Sequence, residues 1–430
     1  MNANIIPRES ALFVSDVDEG GAAFACERIV TGINRLDGNA CRWVVAAGSR
    51  ETVAVNAEKW PSMGALTEFE ICRRLKTGED ARTRAMNRFH ETNVARIIRR
   101  SKPGVVCFHN IHQKMSFALL NMVSRRLPLV IDLHDMWYLT GYCCHSLACD
   151  KYLTGCEGEC PQWGKWEPVL DEACTEWRRR ERFFRRNAHR ITFIAPSEWI
   201  SRCAENRFDG KITVECIPNP VDTKLFRPVG EKRLVRQMLG LPQDKPLILC
   251  GAVTMKDPNK GAEYLRKALL QLRRDSNLSY SVCLFGDNTG SLNIPDAFHL
   301  GSVCDERLLN LFYNAATVFV LPSLAETFGL VFAEAISAGT PCVAFDNTAC
   351  GEIVRENETG YLARSADADS LACALGRAIK AGDNSPLSLI GREFVVRKCD
   401  VNVVCKQYRQ VLERVQAEAG GREYYLKSIV

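Results

Sequence analysis

Long uninterrupted apolar runs are missing from this 430-residue chain. The most apolar stretch, 315–338, is broken by Pro322, Glu326 and Glu334. Ionisable groups at bilayer depth are costly, so it reads as a strand, a loop and a helix rather than a membrane span. The first residues, Met-Asn-Ala-Asn-Ile-Ile-Pro-Arg-Glu, hold no apolar leader segment, and a signal peptide is not expected. Charge of one sign is not in excess either. The 56 basic and 51 acidic residues leave +5, too balanced for a surface that grips nucleic acid throughout. Internal repeats and low-complexity tracts are absent, and an apolar fraction of 46% excludes disorder. Histidine is scarce, with seven in all, so its clustering carries information.

Short apolar, β-branched runs alternate with helical stretches along the whole chain. Strands are expected at 12–15, 43–46, 105–109, 129–133, 191–194 and 212–217, then at 247–250, 281–285, 318–321 and 342–345. Runs that are apolar on both faces and separated by helices are the pattern of buried parallel sheets. The class is therefore α/β with right-handed crossovers. Three prolines between Pro218 and Pro228 mark a linker. Two doubly wound, Rossmann-like domains follow, 1–225 and 226–430, with the carboxyl ends of their strands facing a central cleft. A helical stretch at 401–417 is expected to return to the first domain.

The densest motif is Leu321-Pro-Ser-Leu-Ala-Glu326-Thr-Phe328-Gly329-Leu330-Val-Phe-Ala-Glu334-Ala-Ile-Ser-Ala-Gly339-Thr-Pro341. Gly329 frees the backbone before a helix, Gly339 suits its end, and Pro341 stops it. The helix start offers N–H groups and the positive end of a dipole, which favour a phosphate. Glu326 precedes that helix and Glu334 lies about one turn inside it, so both reach one ligand across the helix start. Glutamate is ordinarily a solvated surface residue, but Phe328, Leu330, Val331 and Phe332 make this surrounding apolar.

This Glu-x7-Glu pattern resembles the retaining family 4 glycosyltransferases, which have the GT-B fold. Further matches follow in order: Gly20-Gly21 after the first strand, Ile217-Pro-Asn-Pro-Val-Asp-Thr-Lys-Leu-Phe226, Lys260-Gly261, Phe285-Gly286, His299-Leu-Gly301, Gly351-Glu352-Ile-Val and Asn357-Glu-Thr-Gly360-Tyr-Leu. The resemblance spans about residues 10–415. The segment Leu133-His134-Asp135-Met136-Trp137-Tyr-Leu-Thr-Gly141 is similar to the branch used in capsule, exopolysaccharide or colanic-acid assembly. The resemblance implies a nucleotide-sugar donor (UDP-, GDP- or ADP-linked), with Glu334 on the ribose hydroxyls and Glu326 near the sugar and diphosphate. Phe328, Gly329 and Leu330 complete the donor site. The implied acceptor is a glycan or lipid-linked saccharide.

Glycosyl transfer breaks a C1–O bond through an oxocarbenium-like transition state, so charge grows on the departing diphosphate. Cations and preorganised N–H dipoles stabilise that charge. Lys260 is the expected cation, helped by Gly20 and Gly21 as a second phosphate-approach loop. Many relatives place an arginine after the glycine that ends this strand. Here Ala252 follows Gly251, and Lys256 is the candidate substitute, although lysine lacks the bidentate fork. His109 and His112 follow one strand and His134-Asp135 the next. The resemblance implies that a histidine here contacts the transferred sugar, His109 first and His134 second, while Asp135 orients His134 or meets the acceptor. No catalytic metal is expected, since no Asp-x-Asp stands in a suitable loop.

Cysteine, in contrast, is abundant, with 20 residues. Most are expected to be reduced core residues in a cytoplasmic protein. Six metal-ligating residues fall within 143–160, and Cys144, Cys149, Cys156 and Cys160 are a candidate structural zinc site, with disulfides or plain thiols as the alternatives. A basic run at 177–190 interleaves Trp177, Phe183 and Phe184 with arginines. It is either a packed, solvated helix or a peripheral contact with an anionic membrane at the inner face of the cell membrane. Two competing functions stay open: a nucleotide-sugar 2-epimerase of the same fold, and a catalytically silent scaffold acting through the cysteine loop and basic helix.

Overall fold

The computed structural model describes residues 10–17, 20–38, 40–47, 57–59, 79–112, 115–158, 170–275, 278–287 and 289–420. The chain forms two compact units. The first comprises the chain up to Pro196, Ser201–Ile217 and the chain from Val404; the second comprises Ser197–Ile200 and Pro218–Val403.

The first unit holds a parallel sheet of seven strands: β1 Ala11–Val17, β2 Cys41–Ala47, β3 Ala57–Lys59, β4 Val105–Phe108, β5 Leu129–Asp132, β6 Ile191–Ala195 and β7 Thr213–Cys216. Their order is β3-β2-β1-β4-β5-β6-β7. The order reverses between β1 and β4, which is where open α/β sheets bind ligands at their carboxyl ends. Register aligns Val14 with Phe108, and Phe108 with Ile131. His109 and Asp132 therefore emerge side by side at that end.

The second unit repeats the scheme with β8 Leu247–Thr254, β9 Ser281–Asp287, β10 Ala297–His299, β11 Val318–Val320, β12 Cys342–Asp346 and β13 Gly360–Arg364. The order is β10-β9-β8-β11-β12-β13, all parallel, with the reversal between β8 and β11. Two glycines let β8 and β9 meet closely. A Cβ on Gly251 would lie 2.4 Å from the Phe285 ring, and one on Gly286 would lie 1.8 Å from the Ala252 carbonyl oxygen.

The unit boundary falls at Ile217–Pro218, and 197–200, 218–225 and 404–430 lie on the other side of a single cut at 225/226. Val221 exchanges main-chain hydrogen bonds with Cys399 and Val401, at 2.8 and 3.0 Å, which ties the proline-rich stretch to the second unit. The last helix, Val401–Gly420, enters the first unit from Val404 onward. There Cys405 donates to the Arg28 and Ile29 carbonyls, and Tyr408 is buried.

The basic helix Leu170–Asn187 is a packed element rather than one with an available apolar face. Phe183 and Phe184 are buried. Arg180 lies 4.0 Å over the Trp137 ring and donates to the carbonyls of Trp137 (3.0 Å) and Thr140 (2.6 Å). Arg207 similarly covers Trp177 at 4.1 Å. The aromatics that interleave with the arginines are thus used in the core, because a guanidinium stacked on a ring can be buried once its N–H groups find acceptors. No helix among the described residues is long and apolar enough to cross a membrane.

Candidate functional site

In the second unit, two loops are locked together at the carboxyl ends of β8 and β11. Asp257 caps the turn Pro258–Lys260 through the Asn259 amide, and Gly261 ends it at φ 65°. A Cβ on Gly261 would stand 1.9 Å from the Pro322 carbonyl oxygen, so only glycine permits this approach. The amide of Leu324 donates to the Asn259 carbonyl at 2.7 Å, and Asn259 Nδ2 donates to the Ala325 carbonyl at 2.8 Å. This double clasp brings Lys260 Nζ to 2.8 Å from Glu326 Oε1, which also accepts from Ser323 Oγ at 2.8 Å. Burial pulls the Lys260 ammonium down, but the Glu326 charge and hydrogen bond outweigh it and leave lysine above its ordinary value. The Lys260 ammonium is therefore charged at neutral pH.

Glu326 leads into the helix Leu330–Ser337. Gly329 caps it at φ 82°, where a Cβ would meet the Phe332 ring at 2.6 Å. Glu334 is 5% exposed, on a helix whose other residues are nearly all buried and apolar. Phe328 and Leu330 are buried as well. Ala252 is buried, so no cation follows Gly251 on that strand. Lys256, the candidate substitute, is exposed.

In the first unit, Gly20 adopts φ 85° as the cap of Gly21–Asp37, and a Cβ at Gly20 or Gly21 would meet nothing within 4 Å. This helix start follows β1 and has no acidic residue in its first turn, which suits an anion. After β4 and β5 the histidines gather. His109 Nδ1 is 2.7 Å from His134 Nε2, and His109 Nε2 is 3.5 Å from Asp132 Oδ2. Tyr408 donates its hydroxyl hydrogen to Asp132 Oδ1. His109 is wholly buried, and His134 is half-buried with its Nδ1 shielded from solvent. Burial pulls His134 down to about 4 and His109 well below the usual histidine value, with the His134 ring adding to the latter. Burial pushes Asp132 up to about 7, against the Tyr408 hydrogen bond that pulls it down.

Asp135 meets the chain on both of its oxygens. Its Oδ1 accepts from the Trp137 amide at 2.8 Å, and its Oδ2 is 3.8 Å from His112 Nδ1. His112 Nε2 in turn lies 3.6 Å from Cys144 Sγ. Cys144 thus turns toward His112 and Asp135, while Cys143, Cys149 and Cys156 line one small cavity with Tyr152 and Ala173. Cys160 lies outside the described residues. All described cysteines are free thiols.

Asp132 and Tyr408 were not singled out by the sequence. The carboxylate inside the apolar run Leu-Val-Ile-Asp132-Leu is the one local signal that marks it. Tyr408 is 276 positions away and has no local signal.

Two parallel sheets with the same reversal of strand order, each with glycine-capped loops at its carboxyl ends, define the GT-B fold. Solved structures agree. The chain matches sucrose-phosphate synthase from Thermosynechococcus elongatus with a TM-score of 0.71 at 18% identity, covering 95% of this chain and 100% of that one. It matches Anabaena HepE, crystallised with UDP and glucose, with a TM-score of 0.62 at 16% identity, covering 94% and 99%. Residues 245–381 match the family described as Glycosyl transferases group 1. Among curated relatives, D-inositol 3-phosphate glycosyltransferase of Nocardia farcinica is 28% identical over 64% of this chain. The putative colanic acid biosynthesis glycosyl transferase WcaC of Escherichia coli is 26% identical over 61%. This chain spans 64% of the length of each of those two relatives.

Proposed function

We propose that this protein is a retaining glycosyltransferase that moves a sugar from a nucleotide-sugar to a glycan or lipid-linked saccharide in surface polysaccharide assembly. The observation that carries this reading is the clasped Lys260–Glu326 pair beside the helix that bears the buried Glu334. Lys260 and the N–H groups at Gly329–Leu330 stabilise charge arriving on the departing diphosphate. Glu334 holds the ribose hydroxyls, and Glu326 fixes the ammonium until the donor arrives. The first unit supplies the acceptor side through His134, with Gly20 and Gly21 offering backbone to phosphate. The departing phosphate takes the acceptor proton on the face it leaves, so no protein nucleophile is assigned.

Ligand binding to the native state raises apparent stability with affinity. A panel of UDP-, GDP- and ADP-sugars is expected to contain one nucleotide that raises Tm at millimolar concentration. Product analysis with and without a saccharide acceptor then separates transfer from 2-epimerisation. A panel with no stabilising member at any concentration contradicts the reading and favours a silent scaffold.

A further inference from the structure

We propose that His112, Asp135 and Cys144 form a zinc-binding site that clamps the segment after β4 to the loop after β5. The site lies wholly within the first unit and does not depend on the glycosyl transfer proposed above.

Two neighbouring strands bring the three residues together. β4 pairs with β5, Phe108 aligned with Ile131, so the segments that leave their carboxyl ends start side by side. His112 follows β4, while Asp135 and Cys144 follow β5. The β5 loop folds back on its own start, because the Met136 amide donates to the Cys144 carbonyl at 2.8 Å. Thr140 Oγ1 donates to the Cys143 carbonyl at 2.7 Å and tightens the same bend. Arg180, stacked on Trp137 and bonded to the Trp137 and Thr140 carbonyls, holds the loop from the helix side. The loop is thus shaped by the protein itself, which lowers the ordering cost of binding an ion.

The ligating atoms of the three side chains all lie within 4.8 Å of one another. His112 Nε2 is 3.6 Å from Cys144 Sγ, and His112 Nδ1 is 3.8 Å from Asp135 Oδ2. Nitrogen, oxygen and sulfur ligands on one tetrahedral zinc stand about 3.3–3.6 Å apart, given bonds of about 2.0–2.3 Å. The two measured separations lie at that range or just above it, so ångström-scale side-chain shifts close the set. Asp135 Oδ1 is occupied by the Trp137 amide at 2.8 Å, which fixes the carboxylate and leaves Oδ2 for the metal. The His112 ring packs against the Trp137 ring, with centroids 5.6 Å apart. His112 and Cys144 are half-buried and Asp135 is buried, so an ion reaches the site from solvent.

The donor set selects the metal. Sulfur with imidazole and a single carboxylate suits zinc, whereas magnesium and calcium take oxygen ligands. Cys144 releases its proton to solvent as the sulfur–zinc bond forms. Thiolate and carboxylate then carry two negative charges against the two positive charges of the ion, and the neutral imidazole adds none. Three protein ligands leave the fourth position to water.

Cobalt(II) is the probe, since it occupies tetrahedral zinc sites and a bonded thiolate gives it an intense near-ultraviolet charge-transfer band. The full chain, freed of metal and carrying Cys149→Ser and Cys156→Ser to disarm other thiols of the loop, is titrated with cobalt and then with zinc. One cobalt ion is expected to bind with that band, zinc to displace it, and zinc to raise Tm. Adding Cys144→Ser removes the band. His112→Gln or Asp135→Asn weakens cobalt binding by at least about tenfold. Should Cys144→Ser disturb the loop, His112→Gln in the otherwise unaltered chain reads the same loss of zinc affinity at a half-buried position. Absence of cobalt and zinc binding at micromolar concentration overturns the site, and so does a band that persists in Cys144→Ser. A band present in the unaltered chain but lost with Cys149 and Cys156 assigns the ion to those thiols and rejects the proposal.

Discussion

Glu334→Ala is expected to abolish the rise in Tm that the matching nucleotide-sugar produces. Glu334 stands in the second turn of Leu330–Ser337 and is 5% exposed, between Ala333 and Ala335, which are fully buried. A ribose offers two adjacent hydroxyls, and each hydrogen bond to a charged group contributes about 1.5–3 kcal/mol. Losing both therefore weakens binding by at least about 100-fold. Titration calorimetry with the nucleoside diphosphate alone reads this directly, because the ribose remains in that ligand. Glu334→Gln keeps the volume and one acceptor oxygen, so it should fall between wild type and Glu334→Ala. Full donor affinity in Glu334→Ala removes the ribose assignment and, with it, the placement of the donor on this helix.

The same helix shows why part of this protein was legible and part was not. Ten strands follow from apolar runs because a strand buried on both faces must be apolar at consecutive positions, as in Leu129–Asp132 or Cys342–Asp346. The strands missed are β3, β10 and β13, the edges of the two sheets or close to their ends in sequence terms. β10 has only three residues, intermediate or exposed, and β13 opens on a glycine, so neither carries the apolar signal. Among the candidate site residues, Glu326, Glu334 and Lys260 stand out in the sequence through their local glycine and proline setting. That Lys260 meets Glu326 follows instead from the Gly261–Pro322 approach, 61 positions apart in the chain. His109 follows an apolar strand, yet its enclosure by Asp132 of β5, His134 of the following loop and Phe13 of β1 comes from three other segments. Burial of a polar residue is a property of neighbours, and spacing within one segment does not report it.

Lys260→Met is expected to reduce turnover by about 1,000-fold, the scale seen when a single preorganised charge partner of a transition state is removed. The chain spends four constraints on this one ammonium: the Asp257 cap, the left-handed Gly261, the Asn259 side-chain bond to Ala325 and the Leu324 amide bond to Asn259. That rigidity means the charge needs no reorganisation when the diphosphate leaves. Removing it also leaves Glu326 without its cation in a site where that carboxylate is only 15% exposed, costing about 2–4 kcal/mol of stability after allowance for residual hydration. Denaturant unfolding measures that loss, and the paired change Lys260→Met with Glu326→Gln should recover most of it. Turnover should not recover, since the double variant restores charge balance but no cation. The pH dependence of stability gives an independent check. Lys260 sits above its ordinary value, so its contribution is complete below the unfolded lysine value and is lost as pH rises through the folded one. Wild-type stability should therefore fall in the alkaline range by an amount that is missing from the double variant. Equal turnover in wild type and Lys260→Met would show that the ammonium holds Glu326 in place and does nothing for the departing diphosphate.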